Sequence, residues 1–229
     1  MGMSFPAGRA NARAVVYTSA ERATFVRRTY ALVFASILVT MAGVYAVASS
    51  PSLYDTVTRF GWLVMLFAFA PLLMIRGGQA SATRSVAALG VFAFIEGLGI
   101  APYMLAVAAR SPGVLGQAAL LTGATFGLLT GYAFVSRRDF SAWGQFFFVG
   151  LIVLLVTSLL TMFFPVPGAS MFLAGATVLI FSGLLIFDTW RIRNSYGPDD
   201  YAVAAVQIYL DVLNLFLAIL RILQGNRRS

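Results

Sequence analysis

The chain of 229 residues contains no cysteine and no histidine. The first absence excludes disulfides, thiolate metal sites and cysteine nucleophiles. The second excludes Ser–His and Cys–His catalysis, histidine ligation of haem and the usual zinc sites. Lysine is missing too: all 16 basic residues are arginine, so lysine Schiff-base chemistry is unavailable. Acids are scarce, 8 in the whole chain, which leaves a net charge of +8. What is abundant is apolar surface: 60% of the residues are hydrophobic, well beyond the roughly 45–50% of a soluble domain. In such a chain the positive excess reads as arginines that hold loops on one side of a bilayer, and no nucleic-acid partner is expected.

Seven apolar runs, at about 29–49, 60–75, 86–108, 114–135, 142–164, 168–190 and 202–223, are near or above the roughly 18–20 residues a membrane-spanning helix needs. The second is the shortest. Turn chemistry separates them: Ser50-Pro51, Gly77-Gly78, Pro112-Gly113, Arg137-Arg138-Asp139, Pro165 to Gly168 and Gly197-Pro198. The expected fold is therefore an all-α integral membrane protein, a seven-transmembrane-helix bundle over 29–224. A loose cytoplasmic N-terminal tail (1–28) precedes it and a short C-terminal tail (225–229) follows. The first apolar run starts too late and is too long for a cleaved signal peptide. With the N-terminus inside, eleven arginines fall on the cytoplasmic side and five outside, which favours that orientation.

Three acids stand inside the apolar runs. An ionised carboxylate at the centre of a membrane helix costs roughly 2.5–3.5 kcal/mol even on a lenient insertion scale. Asp188 closes the run that begins at Met171; it could pair with Arg191 or Arg193 at the end of its span, or meet another helix. Asp211 lies about ten residues inside the last span, roughly 15 Å deep. With Gln207, Asn214 and Arg221 it forms a polar stripe at steps of 4, 3 and 7, all on one helical face. Such a face must look into the bundle or a wet cavity, which suits a last helix at the centre. Glu96 sits at similar depth among Gly97, Gly99 and Pro102, residues expected to loosen its helix and free carbonyls. Together the three acids could form an oxygen-rich environment suited to calcium. Glu96, Gln207 and Asn214 are candidates for an ion path, and Asp188 and Asp211 for binding the ion. Arg76, at the end of the second span, is the arginine placed to neutralise the acids, or else a solvated residue that sets topology. Gly123, Gly127 and Gly131, and Gly144 with Gly150, read as small faces for close helix packing.

Two segments, Phe181-Ser-Gly-Leu-Leu-Ile-Phe-Asp-Thr-Trp-Arg-Ile and Ile208-Tyr-Leu-Asp-Val-Leu-Asn-Leu-Phe-Leu-Ala-Ile-Leu-Arg-Ile-Leu, resemble the signature of the Bax inhibitor family, bacterial members included. The likeness extends through Glu96-Gly-Leu-Gly, Ala124-Thr-Phe-Gly and Ser136-Arg-Arg-Asp-Phe-Ser. The resemblance implies a seven-helix bundle with the last helix central, and a pH-sensitive calcium leak channel. It also implies a proton-sensing aspartate pair on the sixth and seventh helices, which falls on Asp188 and Asp211. An arginine on the second helix that engages the pair would fall on Arg76, though Gly77-Gly78 departs from the basic cluster of some relatives. Location in a bacterial cytoplasmic membrane follows from the same likeness.

Two carboxyls within hydrogen-bonding distance in low dielectric tend to share one proton, so such a pair can latch two helices and release them as pH changes. On the run boundaries Asp188 is shallower than Asp211, so pairing needs the sixth helix to continue to about Asn194 or the seventh to begin later. Three other functions compete with a gated cation pathway: a proton-coupled transporter, a regulator that binds another membrane protein, and an intramembrane aspartyl protease. The protease lacks its companion Gly-x-Gly-Asp, because Asp211 follows Ile208-Tyr209-Leu210. No enzymatic activity is expected.

Overall fold

A computed structural model describes residues 18–68, 70–75, 81–197 and 199–225, and among these every regular element is a helix. The helices are α1 (Ser19–Ala48), α2 (Pro51–Ala68), α3 (Ala70–Ile75), α4 (Ala82–Arg110), α5 (Val114–Val135), α6 (Trp143–Phe163), α7 (Ala169–Asn194) and α8 (Tyr201–Gly225). Six of them, α1 and α4 to α8, are long and apolar enough to cross a membrane. A bent pair, Pro51–Val64 with Leu66–Leu72 at 65°, brings the number to seven if it is one broken span. This is a multi-pass membrane protein. Its outer surface agrees: Phe34, Leu120, Leu128, Phe146, Phe163 and Phe172 point outward with more than half their surface uncovered, as lipid-facing side chains do.

The first helix starts at Ser19, ten residues before the apolar run. The cause is a capping box: the Thr18 hydroxyl accepts from the Glu21 amide at 3.2 Å, and the Glu21 carboxylate accepts from the Thr18 amide at 2.8 Å. Residues 19–28 are thus helical and not a loose tail, and Phe25 there is 2% exposed. The second expected span, 60–75, is also corrected. Helix α2 begins directly after α1, with Pro51 in the first turn, where its missing N–H is no loss. Its first half is polar, which hides it from a hydropathy reading. Phe60 then departs from helical geometry (φ −115°, ψ 18°) at the junction with the apolar half.

Gly113 (φ 85°) and Gly168 (φ 78°) precede α5 and α7 in left-handed conformations, which only glycine adopts without strain. They turn the chain tightly enough for neighbouring helices to pack. Helix α4 runs through Pro102 without a break, contrary to the loosening expected from its glycines and proline. That face of α4 is instead tightly seated on α1. A Cβ on Gly97 would lie 2.2 Å from the Thr40 carbonyl oxygen, and one on Gly43 2.5 Å from that of Phe94.

Helix α8 packs against α1, α4, α5 and α7. Of the six long helices it is the most enclosed and α6 the least. The core follows from this. Leu185 and Ile192 of α7, Leu89 and Phe92 of α4 and Ile208 and Tyr209 of α8 form one cluster of buried side chains. The glycines of α5 do not serve the packing expected of them, since Gly123, Gly127 and Gly131 have no atom within 4 Å of an added Cβ. Gly144 and Gly150 do face neighbours, the Phe187 ring and Ile180.

Candidate functional site: a carboxyl pair between α7 and α8

Helix α7 continues to Asn194, one of the two conditions set by the depths of the acids. Asp188 therefore lies inside α7 and not at its end. The two carboxyls are buried, 6% and 4% exposed, and lie within hydrogen-bonding reach of one another. Neither carboxylate can donate, so a hydrogen bond between them requires one proton. Asp211 Oδ2 has no other partner among the described residues.

The neighbouring turn supplies a positive charge. Arg191 Nη1 donates to Asp188 Oδ1 at 3.1 Å and to Gln207 Oε1 at 3.1 Å. The step of three residues from Asp188 puts both on one face of α7. Arg193, the other candidate, points away and donates to the Phe134 and Ser136 carbonyls at the end of α5, at 2.8 and 3.0 Å. Asp188 therefore satisfies both readings open to it, the pairing with Arg191 and the contact with Asp211.

The Arg191 guanidinium lies near two rings, its carbon 4.7 Å from the centre of Tyr196 and 5.5 Å from that of Phe187. The Tyr196 hydroxyl donates to Gln207 Oε1, which thus receives two donors. Burial, reinforced by the charge of Asp188, pushes the Tyr196 phenol far above its ordinary range, so it stays a donor. Arg22 of α1 fixes the turn from outside, donating to the carbonyls of Ile192 at 3.0 Å and Tyr196 at 3.1 Å. Thr189, fully buried beside Asp188, meets the Tyr30 hydroxyl of α1 at 3.4 Å.

The other expected members are not gathered here. Asn214 turns its amide back onto the Leu210 carbonyl of its own helix at 2.8 Å, and Arg221 is exposed. Glu96 is buried on α4 at 5% exposure, with no hydrogen-bond partner among the described residues. Its charge reaches Tyr209, whose hydroxyl forms a 2.7 Å hydrogen bond with Thr40 of α1. Tyr209 and Asp211 are two residues apart, so they leave α8 on opposite sides. Among the described residues no three acidic side chains converge. Two carboxylates, one of them held by Arg191, fall short of the six to eight oxygens that calcium takes. The oxygen-rich cluster of three acids is thus not formed by the described residues. Arg76 lies outside the described residues.

Tyr196, Tyr209 and Thr40 escaped the sequence reading. Tyr209 had a signal, a hydroxyl two residues from Asp211 within an apolar helix; Tyr196 had none, because only the fold of the α7–α8 turn brings it over Arg191.

Residues 22–228 match the family described as inhibitor of apoptosis-promoting Bax1. The chain belongs to the Bax inhibitor family. Bax inhibitor 1 of Schizosaccharomyces pombe is 32% identical over 208 residues, 88% of this chain and 76% of that protein. A BI1-like protein of Arabidopsis thaliana is 31% identical over 204 residues, 87% of this chain and 80% of its own. Bacterial relatives share the same extent: an uncharacterized protein of Campylobacter jejuni is 30% identical over 212 residues, 90% of each chain. In this chain the two buried aspartates stand on α7 and α8, which pack extensively against each other.

Proposed function

We propose that this protein is a pH-sensitive cation leak channel, with calcium as the permeant ion, in a bacterial cytoplasmic membrane. In this reading the bundle has seven spans, of which α8 is the last and the central one, the N-terminus is cytoplasmic, and the Asp188–Asp211 pair is the proton sensor. The observation that carries it is the burial of two carboxyls from different helices within reach of one another beside one arginine. With Arg191 and one carboxylate the site is electrically neutral only when the other carboxyl keeps its proton. Loss of that proton adds an unscreened negative charge between α7 and α8, which changes how these helices hold together. Intramembrane ionisable groups of this kind mark ion and proton pathways. Glu96 contributes a third acid to the path from the opposite side of α8, and Arg76 is the further arginine that can engage the ionised pair. Gln207 and Asn214 contribute polar atoms along α8.

The test is calcium flux into vesicles that contain only the purified protein and an enclosed calcium dye. Flux down a calcium gradient with no proton gradient, varying with pH, is expected. Flux that requires a proton gradient would identify a proton-coupled transporter instead. Absence of flux at every pH would leave a regulator that acts by binding another membrane protein.

A further inference from the structure

We propose that Arg191 is a positioning residue, a tethered counter-cation that sets the pH at which the Asp188–Asp211 pair takes up its proton. The inference rests on the reading of that pair as a proton sensor, and adds the residue that tunes it. Four contacts hold the guanidinium: hydrogen bonds to Asp188 and Gln207, both at 3.1 Å, and the rings of Tyr196 and Phe187. Two of the four are themselves fixed. Gln207 accepts from the Tyr196 hydroxyl, and Arg22 holds the backbone of Tyr196 and Ile192. A long side chain with this many anchors loses its entropy to the fold rather than to each proton-binding event, so its charge is in place at every pH.

The groups facing the pair are few. Helix α7 supplies Arg191 and α8 supplies Asp211. The turn between them supplies Tyr196, with Asp200 close enough for its charge to reach that phenol. Helix α1 brings Arg22 to the end of α7 and Tyr30 to Thr189. Helices α5 and α6 contain no aspartate, glutamate, lysine or arginine. Among the described residues Arg191 is thus the cation in direct contact with an acid of the pair. A positive charge at this range favours the ionised carboxylate, so deleting it moves proton uptake to higher pH, by about 1–3 units for a buried contact. The Arg191 side chain is 30% exposed, which places the expected shift near the lower end, about one unit.

The experiment follows the protonated-carboxyl C=O band in infrared difference spectra of the full chain in lipid vesicles, as pH is titrated. Asp211→Asn identifies the band that belongs to the pair. In Arg191→Gln the midpoint should rise by about one unit or more, while Arg191→Lys, which keeps the charge, should recover most of the parent's value. Arg193→Gln removes an equal charge two residues away, bonded to α5 and not to the pair, and should leave the midpoint in place. Asp188→Asn compared with Asp188→Asn/Arg191→Gln repeats the test on Asp211 without an orphaned carboxylate, in case the single variant does not fold; the midpoint should again rise on loss of the arginine. Equal midpoints in Arg191→Gln and Arg193→Gln, or in the two Asp188→Asn proteins, would overturn the proposal. A shifted midpoint in a protein that carries no calcium would sustain the role of Arg191 and overturn the channel reading instead.

Discussion

Replacing Asp211 with asparagine should abolish most of the pH dependence of calcium leak at little expense in stability, whereas Asp188→Asn should do the reverse. Asparagine has nearly the shape of a protonated aspartate and can still donate to Asp188, but it cannot lose a proton. Among the described residues Asp211 has an oxygen without a partner and no arginine in contact, so the neutral amide replaces a group that the site keeps neutral. The change in stability should stay within about 1 kcal/mol, the size of one ordinary hydrogen bond. Asp188→Asn differs because it strips Arg191 of its anion. Breaking a fully buried ion pair costs about 3–5 kcal/mol. Here the arginine side chain is 30% exposed and the aspartate 9%, so water recovers part of that, and about 1–3 kcal/mol is expected. In Asp188→Asn the remaining acid, Asp211, still titrates, so pH dependence should be reduced and not lost. Calcium flux in dye-loaded vesicles across a pH series, with thermal unfolding in detergent, measures both quantities. Overlapping pH profiles for both variants and the parent would show that the sensor lies elsewhere. An Asp188→Asn protein as stable as Asp211→Asn would refute the charge argument.

Glu96→Gln should lower calcium flux while leaving the unfolding temperature close to the parent's, because the amide keeps the shape of a buried group that has no hydrogen bond among the described residues; unchanged flux would confine Glu96 to helix packing. Gly97→Ala should destabilise the protein strongly, since its Cβ would lie 2.2 Å from a backbone oxygen of α1, and overpacking that cannot relax through a side chain costs about 1–3 kcal/mol or more. Gly127→Ala, with nothing within 4 Å of the new Cβ, should be neutral or stabilising, and equal unfolding temperatures for these two variants would contradict the α1–α4 contact. Tyr209→Phe removes the 2.7 Å bond to Thr40 and should cost about 0.5–1.5 kcal/mol in thermal unfolding, with the pH profile of leak unchanged because this hydroxyl leaves α8 on the side away from Asp211.

Membership of a polytopic membrane class is set by composition, because runs of about twenty apolar residues have few other solutions. The two aspartates were legible for the same reason: a carboxyl in such a run is too expensive to go unnoticed. The polar stripe of α8 pointed to Asp211, which is buried, but Gln207 and Asn214 are only partly covered and Arg221 is exposed. Where the reading failed, the deciding interactions were not hydrophobic or not local. The first helix starts early through a capping box at Thr18 and Glu21. The polar beginning of α2 is helical because Pro51 opens it directly after α1. Glycine spacing marks small faces but not what they meet: Gly97 of α4 lies against α1, while an added Cβ on the regular glycines of α5 would meet no described neighbour.

The electrostatics of the pair belonged to tertiary structure. One apolar run carries Asp188 and another Asp211, but only the packing of α7 on α8 brings the carboxyls together. The choice between Arg191 and Arg193 depended on which side of α7 faces α8 and which faces α5. Glu96 has much the same depth in the chain's apolar pattern as Asp211, yet α8 stands between it and the pair, with Tyr209 on one side and Asp211 on the other. Depth is a property of one helix and can be read along the sequence. Which charges meet is a property of helix rotation and contact, which the surrounding helices alone determine.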